Sequence, residues 1–357
     1  MDLTAIIRVS NKYGADPELV LAGGGNTSVK DHDTLYIKCS GAGLATIDEN
    51  GFVPVGRALL DKTLTKQYPA DDAGREAAFL QDVMAARSIP GETRRPSVEA
   101  LLHHLFPQRY VVHLHPALIN GLTCGKDGEH RLRELFGGSA LWIPLTRPGL
   151  VLGKVCHQAM GKYYAETGQN AQLVFLENHG IFIAANTEQE ISEILEGAVA
   201  KLKSAVVQHP DTQYSHIPDP AALAEVVRKT GASHIAFRAS PMLLKMLQSQ
   251  ETANDLMQPF SPDQIVYCGV RPIYVSSPGE IEPGELHRKV LLVQGVGAFA
   301  LGQSEKEAET AALLFIDAVK IAVYARSFGG PQPLDDDMIQ FIVSWEAESY
   351  RQKEAKR

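Results

Sequence analysis

The chain has 357 residues, 45% of them hydrophobic and 21% charged, with a formal net charge of −8. That length allows two separate cores, and the acidic balance argues against nucleic acid as a partner, since a phosphate backbone is bound through clustered Lys and Arg. No apolar run reaches the roughly 18–20 residues needed to cross a bilayer, so no membrane partner is expected.

The segment Met1 to Arg8 lacks the basic-then-apolar pattern of a signal peptide, which makes the expected location cytoplasmic. Cys39, Cys124, Cys156 and Cys268 show no CxxC spacing, which argues against a thiolate cluster or a disulfide framework and fits a reducing compartment. Residues 1–20 read as an opening amphipathic helix. Gly23-Gly24-Gly25 lets the backbone turn sharply or approach a ligand, and Asn26-Thr27-Ser28 adds amides and short donors. A hairpin turn and an anion cradle are equally good readings. Leu35 to Lys38 is a strand ending at Ser40-Gly41-Ala42-Gly43, a turn that lacks the third small residue and following helix of a dinucleotide site.

Residues 75–88 are helical. Ser97 has N-cap chemistry for another helix running through His103 and His104, which puts Glu99 in its first turn, near the positive end of the dipole. His103 lies one turn beyond Glu99; it either orients that carboxylate or packs, and packing is the favoured reading. Val111 to His115 is a β-branched strand closed by Pro116. Residues two apart on a strand share a face, so His113 and His115 project together. Two neutral imidazoles with a carboxylate suit a zinc-like ion, which takes N and O ligands at about 2 Å. The best third ligand is His179, in Glu177-Asn178-His179-Gly180 after the apolar run Leu173 to Leu176. Each histidine alone would as readily be a core residue; the combination points to a metal.

Ala117 to Cys124 is helical, residues 125–139 are polar and glycine-rich, Leu141 to Leu145 is a strand and 151–167 a helix. Leu173 to Leu176 and Ile181 to Ala184 pair around Asn178-His179-Gly180. Thr187-Glu188-Gln189-Glu190 is a capping box opening a helix toward Val207. Pro- and polar-rich residues then suggest a first domain at 1–209, a linker at 210–220 and a second domain at 221–357. Val290 to Ala300 aligns without gaps on the stretch beginning at Leu173, and Ser304-Glu305-Lys306-Glu307 repeats the capping box, so the second domain reads as a degenerate repeat. Val296 stands where the first copy has His179. Gly295 to Ala300 also fits a dinucleotide fingerprint, but strand rather than helix follows it, which argues against that reading.

Gly24-Gly25-Asn26-Thr27-Ser28, Ser40-Gly41, Ser97-Val98-Glu99, His113-Leu114-His115 and Asn178-His179-Gly180, in that order, resemble the motifs of the class II aldolase/adducin family. The likeness covers roughly residues 1–205 and leans toward the zinc-dependent rhamnulose-1-phosphate and fuculose-1-phosphate aldolases, the rhamnulose type more than the fuculose type. It implies an α/β fold: an α/β/α sandwich around a mostly antiparallel sheet, followed here by the smaller α/β domain without metal ligands. It also implies Zn2+, or another divalent transition metal, on His113, His115 and His179, with Glu99 as catalytic acid/base and fourth ligand of the empty site. Asn26, Ser40, Gly41 and Ser97 match positions that bind substrate phosphate, and Val98 replaces a family serine in that pocket.

The implied reaction is reversible aldol cleavage of a sugar or sugar phosphate through a metal-stabilised enediolate, in a homo-oligomer. A tyrosine from a neighbouring subunit often stands near the substrate in such enzymes, and Tyr350 is the candidate. The alternatives are a metal-dependent decarboxylase, dehydratase or 4-epimerase, and a non-catalytic adducin-like binding protein.

Overall fold

The computed structural model describes residues 1–282 and 289–345. In chain order its elements begin with α1 (Thr4–Gly14), β1 (Asn26–Lys30), β2 (Thr34–Lys38), β3 (Phe52–Gly56), α2 (Arg57–Thr65), α3 (Asp72–Ala85), α4 (Ala100–Leu105) and β4 (Tyr110–Leu114). There follow α5 (Ala117–Thr123), α6 (Gly128–Phe136), β5 (Leu141–Ile143), α7 (Leu150–Thr167), β6 (Leu173–Leu176), β7 (Gly180–Ala185) and α8 (Glu188–Ala205). The rest comprises α9 (Pro220–Thr230), β8 (His234–Arg238), α10 (Pro241–Met246), α11 (Gln250–Ala253), α12 (Pro262–Cys268), β9 (Ile273–Val275), β10 (Val290–Val293), β11 (Gly297–Gly302), α13 (Glu305–Ala325) and α14 (Asp336–Ser344). These pack as two units, one of Met1–Ile119 and Glu129–Ser204 with Trp345, the other of Asn120–Gly128 and Ala205–Ser344.

The first unit is built on a sheet of order β3-β2-β1-β4-β7-β6-β5, in which only β5 and β6 run parallel. Alternation along β1 decides what each face meets. The Thr27 hydroxyl lies 2.6 Å from that of Ser10 on α1, while the Ser28 hydroxyl lies 2.7 Å from His103 Nδ1 on α4. On the α4 side, Leu35, Ile37, Val53 and Val55 pack on Leu60, Phe79, Val83, Leu101 and Leu150, and Val111, Val174 and Phe182 pack on Leu102, Leu152 and Cys156. Across the sheet, α1 is tied to α8 by Arg8 to Glu188 and by Tyr13 to Ser192. This is the expected α/β/α sandwich with a mostly antiparallel sheet.

The second unit repeats half of that sheet. Its order, β8-β11-β10-β9, and its strand directions match β4-β7-β6-β5. The turns match too: His179 N–H donates to Leu176 O at 3.2 Å and Val296 N–H to Val293 O at 3.1 Å. Asn178 and Gly295 occupy the same left-handed position, with φ of 54° and 66°. The registers pair His113 with Phe182 and Phe237 with Phe299, two residues past the equivalent glycines Gly180 and Gly297. Phe237, Ala239 and Val296 therefore stand where the first unit has His113, His115 and His179. The degenerate repeat is real, and its lost ligands are replaced by apolar side chains that join the local core.

Several elements differ from the sequence reading. The opening helix ends at Gly14, and α6 lies in the stretch read as polar and glycine-rich. Asn26 begins a strand, so Thr27 and Ser28 are buried between layers and form no anion cradle. Glu99 is the residue before α4 rather than in its first turn. The stretch read as a linker packs within the second unit: Ser215 bridges to Ala239, and the Asp211 carboxylate accepts from Met242 N–H. Among the described residues no helix is long and apolar enough to cross a membrane.

Apart from its chain neighbours, nothing lies within 4 Å of a Cβ built on Gly295, whose φ is 66°, so backbone conformation is the main limit on what that position tolerates. Gly295→Val should cost about 1–2 kcal/mol for forcing a β-branched residue left-handed, and Gly295→Asn clearly less, matching Asn178. Denaturant unfolding of the two variants checks this; equal costs would refute a shared turn.

Candidate metal centre

The centre is assembled by strand register. β4 pairs with β1 on one side and β7 on the other, so His113 lies between Asn26 and Phe182. His113 is fully buried, its ring stacked on Phe182 with centroids 4.1 Å apart. Its Nδ1 lies 2.9 Å from the Ile181 carbonyl, an oxygen that can only accept, so Nδ1 carries the proton and Nε2 is bare. His115 follows the last residue of β4 and brings its Nε2 within 2.8 Å of His113 Nε2. His179 reaches the same point from the β6–β7 turn. β7 can start that close to β4 because residue 180 is glycine: a Cβ there would sit 2.5 Å from Leu114 O and 2.7 Å from the His115 ring.

Ligand nitrogens of His113, His115 and His179 lie within 4.8 Å of one another, and among the described residues this is the only such group. Glu99 completes it. Its Oε1 is 3.4 Å from Nε2 of both His113 and His179, buried and without a hydrogen-bond partner. Convergent ring nitrogens, one with its tautomer fixed by a backbone carbonyl, and an orphaned carboxylate oxygen form a donor set that fits a divalent transition ion. His179 and Glu99 keep 15% and 11% side-chain exposure, so the cluster opens to solvent on their side.

Burial dominates at His113 and holds its imidazole neutral, well below the usual histidine range, although the Glu99 carboxylate pulls the other way. Burial also pushes the Glu99 carboxyl up, but the surrounding imidazoles and the Asn26 amide outweigh it and keep the group ionised. A neutral His113 turns the bare lone pair of Nε2 toward Glu99 Oε1, so it supports that carboxylate only through a cation lying between them.

Of the remaining sequence-flagged residues, Asn26 and Ser97 touch Glu99, and Ser40 meets the segment that leads into it. Ser97 Oγ accepts from Glu99 N–H at 3.3 Å, and Ser97 N–H donates to Lys38 O at 3.0 Å. Ser40 N–H donates to Arg95 O at 2.8 Å, which lays the Ser40-Gly41 turn along the segment entering Glu99. The Asn26 amide is engaged at both ends: Nδ2 donates to Glu99 Oε2 at 2.5 Å, and Oδ1 accepts from His103 Nε2. His103 was legible as one turn from Glu99, but its link through Asn26 was not. Nothing in the sequence marked Phe182 or the Ile181 carbonyl. Tyr350 lies outside the described residues.

Residues 4–200 match the family model described as the class II aldolase and adducin N-terminal domain. A curated relative, the "Uncharacterized oxidoreductase YuxG" of Bacillus subtilis (strain 168), is 21% identical over 96% of this chain, which spans 57% of that relative's length. The N-terminal class II aldolase domain of a conserved protein from Thermoplasma acidophilum is 26% identical, covering 57% of this chain and 93% of its own, with a TM-score of 0.48. An L-fuculose 1-phosphate aldolase is 20% identical over 57% of this chain and 86% of its own, with a TM-score of 0.38.

Burial lowers the His103 imidazole from 6.5 to about 3. Between those two pH values the unfolded chain binds a proton that the folded chain refuses. His103 therefore costs nothing above pH 6.5 and about 1.4 kcal/mol per pH unit as the pH falls below it. Denaturant unfolding between pH 7 and 4 should show a slope one proton steeper in the parent than in His103→Gln. Parallel slopes would mean that the imidazole titrates freely when folded.

Proposed function

Because the chain belongs to the class II aldolase and adducin family, we propose that it is a metal-dependent carbon–carbon lyase cleaving a sugar or sugar phosphate by a reversible aldol reaction. The observation that carries the reading is the meeting of His113, His115 and His179 with the unpartnered Oε1 of Glu99. The imidazoles would hold a divalent transition ion, zinc first by its preference for nitrogen ligands. When bound, that ion supplies Lewis-acid chemistry: it draws electrons from a carbonyl and neutralises charge developing on oxygen.

Glu99 moves the proton. In the condensation direction its ionised carboxylate removes a proton from the carbon beside the ketone carbonyl. In cleavage the ionised carboxylate takes the proton of the hydroxyl that becomes the aldehyde oxygen, and the electrons of the breaking C–C bond remain on the carbon beside the carbonyl. That carbon then receives the proton from the carboxyl group, which ends ionised as it began. Burial beside neutral imidazoles keeps that carboxyl oxygen away from bulk water. Ser40, Gly41 and Ser97 line the approach to Glu99 and are proposed to receive the substrate's polar end. Val98 in place of a hydroxyl residue favours a second reading in which the substrate lacks a phosphate, as a hydroxy acid would. Catalysis belongs to the first unit, since the second has Phe237, Ala239 and Val296 at the corresponding positions.

Aldehyde release from a panel of ketose 1-phosphates, free ketoses and hydroxy acids tests the reading; no aldehyde from any of them would sink it. His113→Ala should lose bound metal and turnover together. Glu99→Gln should keep the metal and lose about 100-fold or more in kcat, the usual worth of a positioned acid/base. Full activity of His113→Ala in metal-free buffer would rule out the metal mechanism.

A further inference from the structure

One amide fixes the direction of every hydrogen bond in the chain behind Glu99. Asn26 Nδ2 donates to Glu99 Oε2 at 2.5 Å, which turns the amide oxygen, an atom that can only accept, the other way. The Asn26 carbonyl then faces His103, whose Nε2 must donate to it. That leaves His103 Nδ1 bare, 2.7 Å from the Ser28 hydroxyl, which donates to it. We propose that Ser28, His103 and Asn26 form a positioning relay whose task is to aim Glu99. This rests on the lyase reading for its consequence, though not for its geometry.

The relay alternates between two elements because their repeats match. Asn26 and Ser28 are two apart on β1, about 6.8 Å along a strand. Glu99, just before α4, and His103 within it are four apart, about one helical turn or 6 Å, and His103 N–H donates to Glu99 O at 3.1 Å. Each rung therefore crosses from strand to helix and back without strain. Phe182 meets the His103 ring edge-on at 5.3 Å and stacks on His113 at 4.1 Å, so one phenyl ring fixes both imidazoles. Ser28 and His103 are fully buried, and Asn26 is only 7% exposed.

The consequence for the carboxylate is a division of labour. Oε2 is tied by Asn26, and Oε1 is left toward Nε2 of His113 and His179 without a hydrogen-bond partner of its own. Residues that orient a reacting group without touching the substrate typically change rate by about 10- to 100-fold.

Two measurements test the relay. In the zinc-loaded full chain labelled with 15N-histidine, ring-nitrogen correlations should show His103, identified by its loss in His103→Gln, with the proton on Nε2 and a bare Nδ1. A proton on Nδ1, or on both nitrogens at pH 7, overturns the relay whether or not the protein turns over any substrate. The second measurement uses whichever substrate the aldehyde panel identifies. Asn26→Ala and His103→Leu should each lower kcat about 10- to 100-fold with KM near the parent's. The double variant should lose no more than either single one, because the two act through the same carboxylate. His103→Gln, which keeps a donor for Asn26, should recover most of kcat.

Additive losses overturn the proposal. So does a loss that raises KM for phosphorylated substrates alone, since Asn26 would then be an anion ligand. Should His103→Leu fail to fold, Ser28→Ala probes the far end of the chain, and an unchanged kcat there overturns the proposal equally. A chain inactive on the whole panel removes the lyase reading, while the His103 tautomer still decides the hydrogen-bond relay.

Discussion

Lone pairs crowded into one buried spot are the constraint around which the first unit is organised. The Nε2 atoms of His113 and His115 are 2.8 Å apart, and Glu99 Oε1 stands 3.4 Å from the Nε2 atoms of His113 and His179. Groups of that kind repel unless a proton or a cation lies among them, and burying them unpaired costs several kcal/mol. The surrounding structure holds them there nonetheless. The Ile181 carbonyl removes the choice of tautomer at His113, Phe182 holds its ring, and Gly180 lets the His179 turn close over the end of β4. Asn26 restrains Glu99 from behind. A site assembled at such cost to its own stability is the mark of function rather than of packing.

The second unit shows what the same fold becomes when that constraint is lifted. Strand order, strand direction, the turn hydrogen bond and the left-handed residue of the turn all persist. The three histidine positions hold Phe237, Ala239 and Val296. Phenyl is close to imidazole in size and shape, and Phe237 keeps a ring contact with Phe299, at 4.9 Å, equivalent to that of His113 with Phe182. Removing the ligands turned a costly polar cluster into ordinary core, and the backbone had no reason to change.

Most of the centre was legible in the chain because its signals are local. The spacing of His113 and His115 on a β-branched strand and the Asn178-His179-Gly180 break each follow from a few adjacent residues. The Val290 to Ala300 echo was legible for the same reason. What stayed hidden depends on partners far apart in sequence. Asn26 looked like loop because three glycines precede it, yet pairing with β2 and β4 makes it a strand residue and turns Thr27 and Ser28 inward. His103 looked like packing because nothing in a helix pattern says that a strand amide will bridge it to Glu99. The match of Phe237 and Ala239 to the metal histidines was invisible because their likeness lies in register, not in residue type.

The central claim is that the imidazoles of His113, His115 and His179 share one cation with Glu99 beside it. Anomalous diffraction at the zinc edge, from crystals of the full chain grown with zinc, tests it most directly. The account predicts one strong peak at about 2.0–2.1 Å from a nitrogen of each of these histidines, with Glu99 next to it. No peak there, with the imidazoles instead closed on one another through a shared proton, would contradict it.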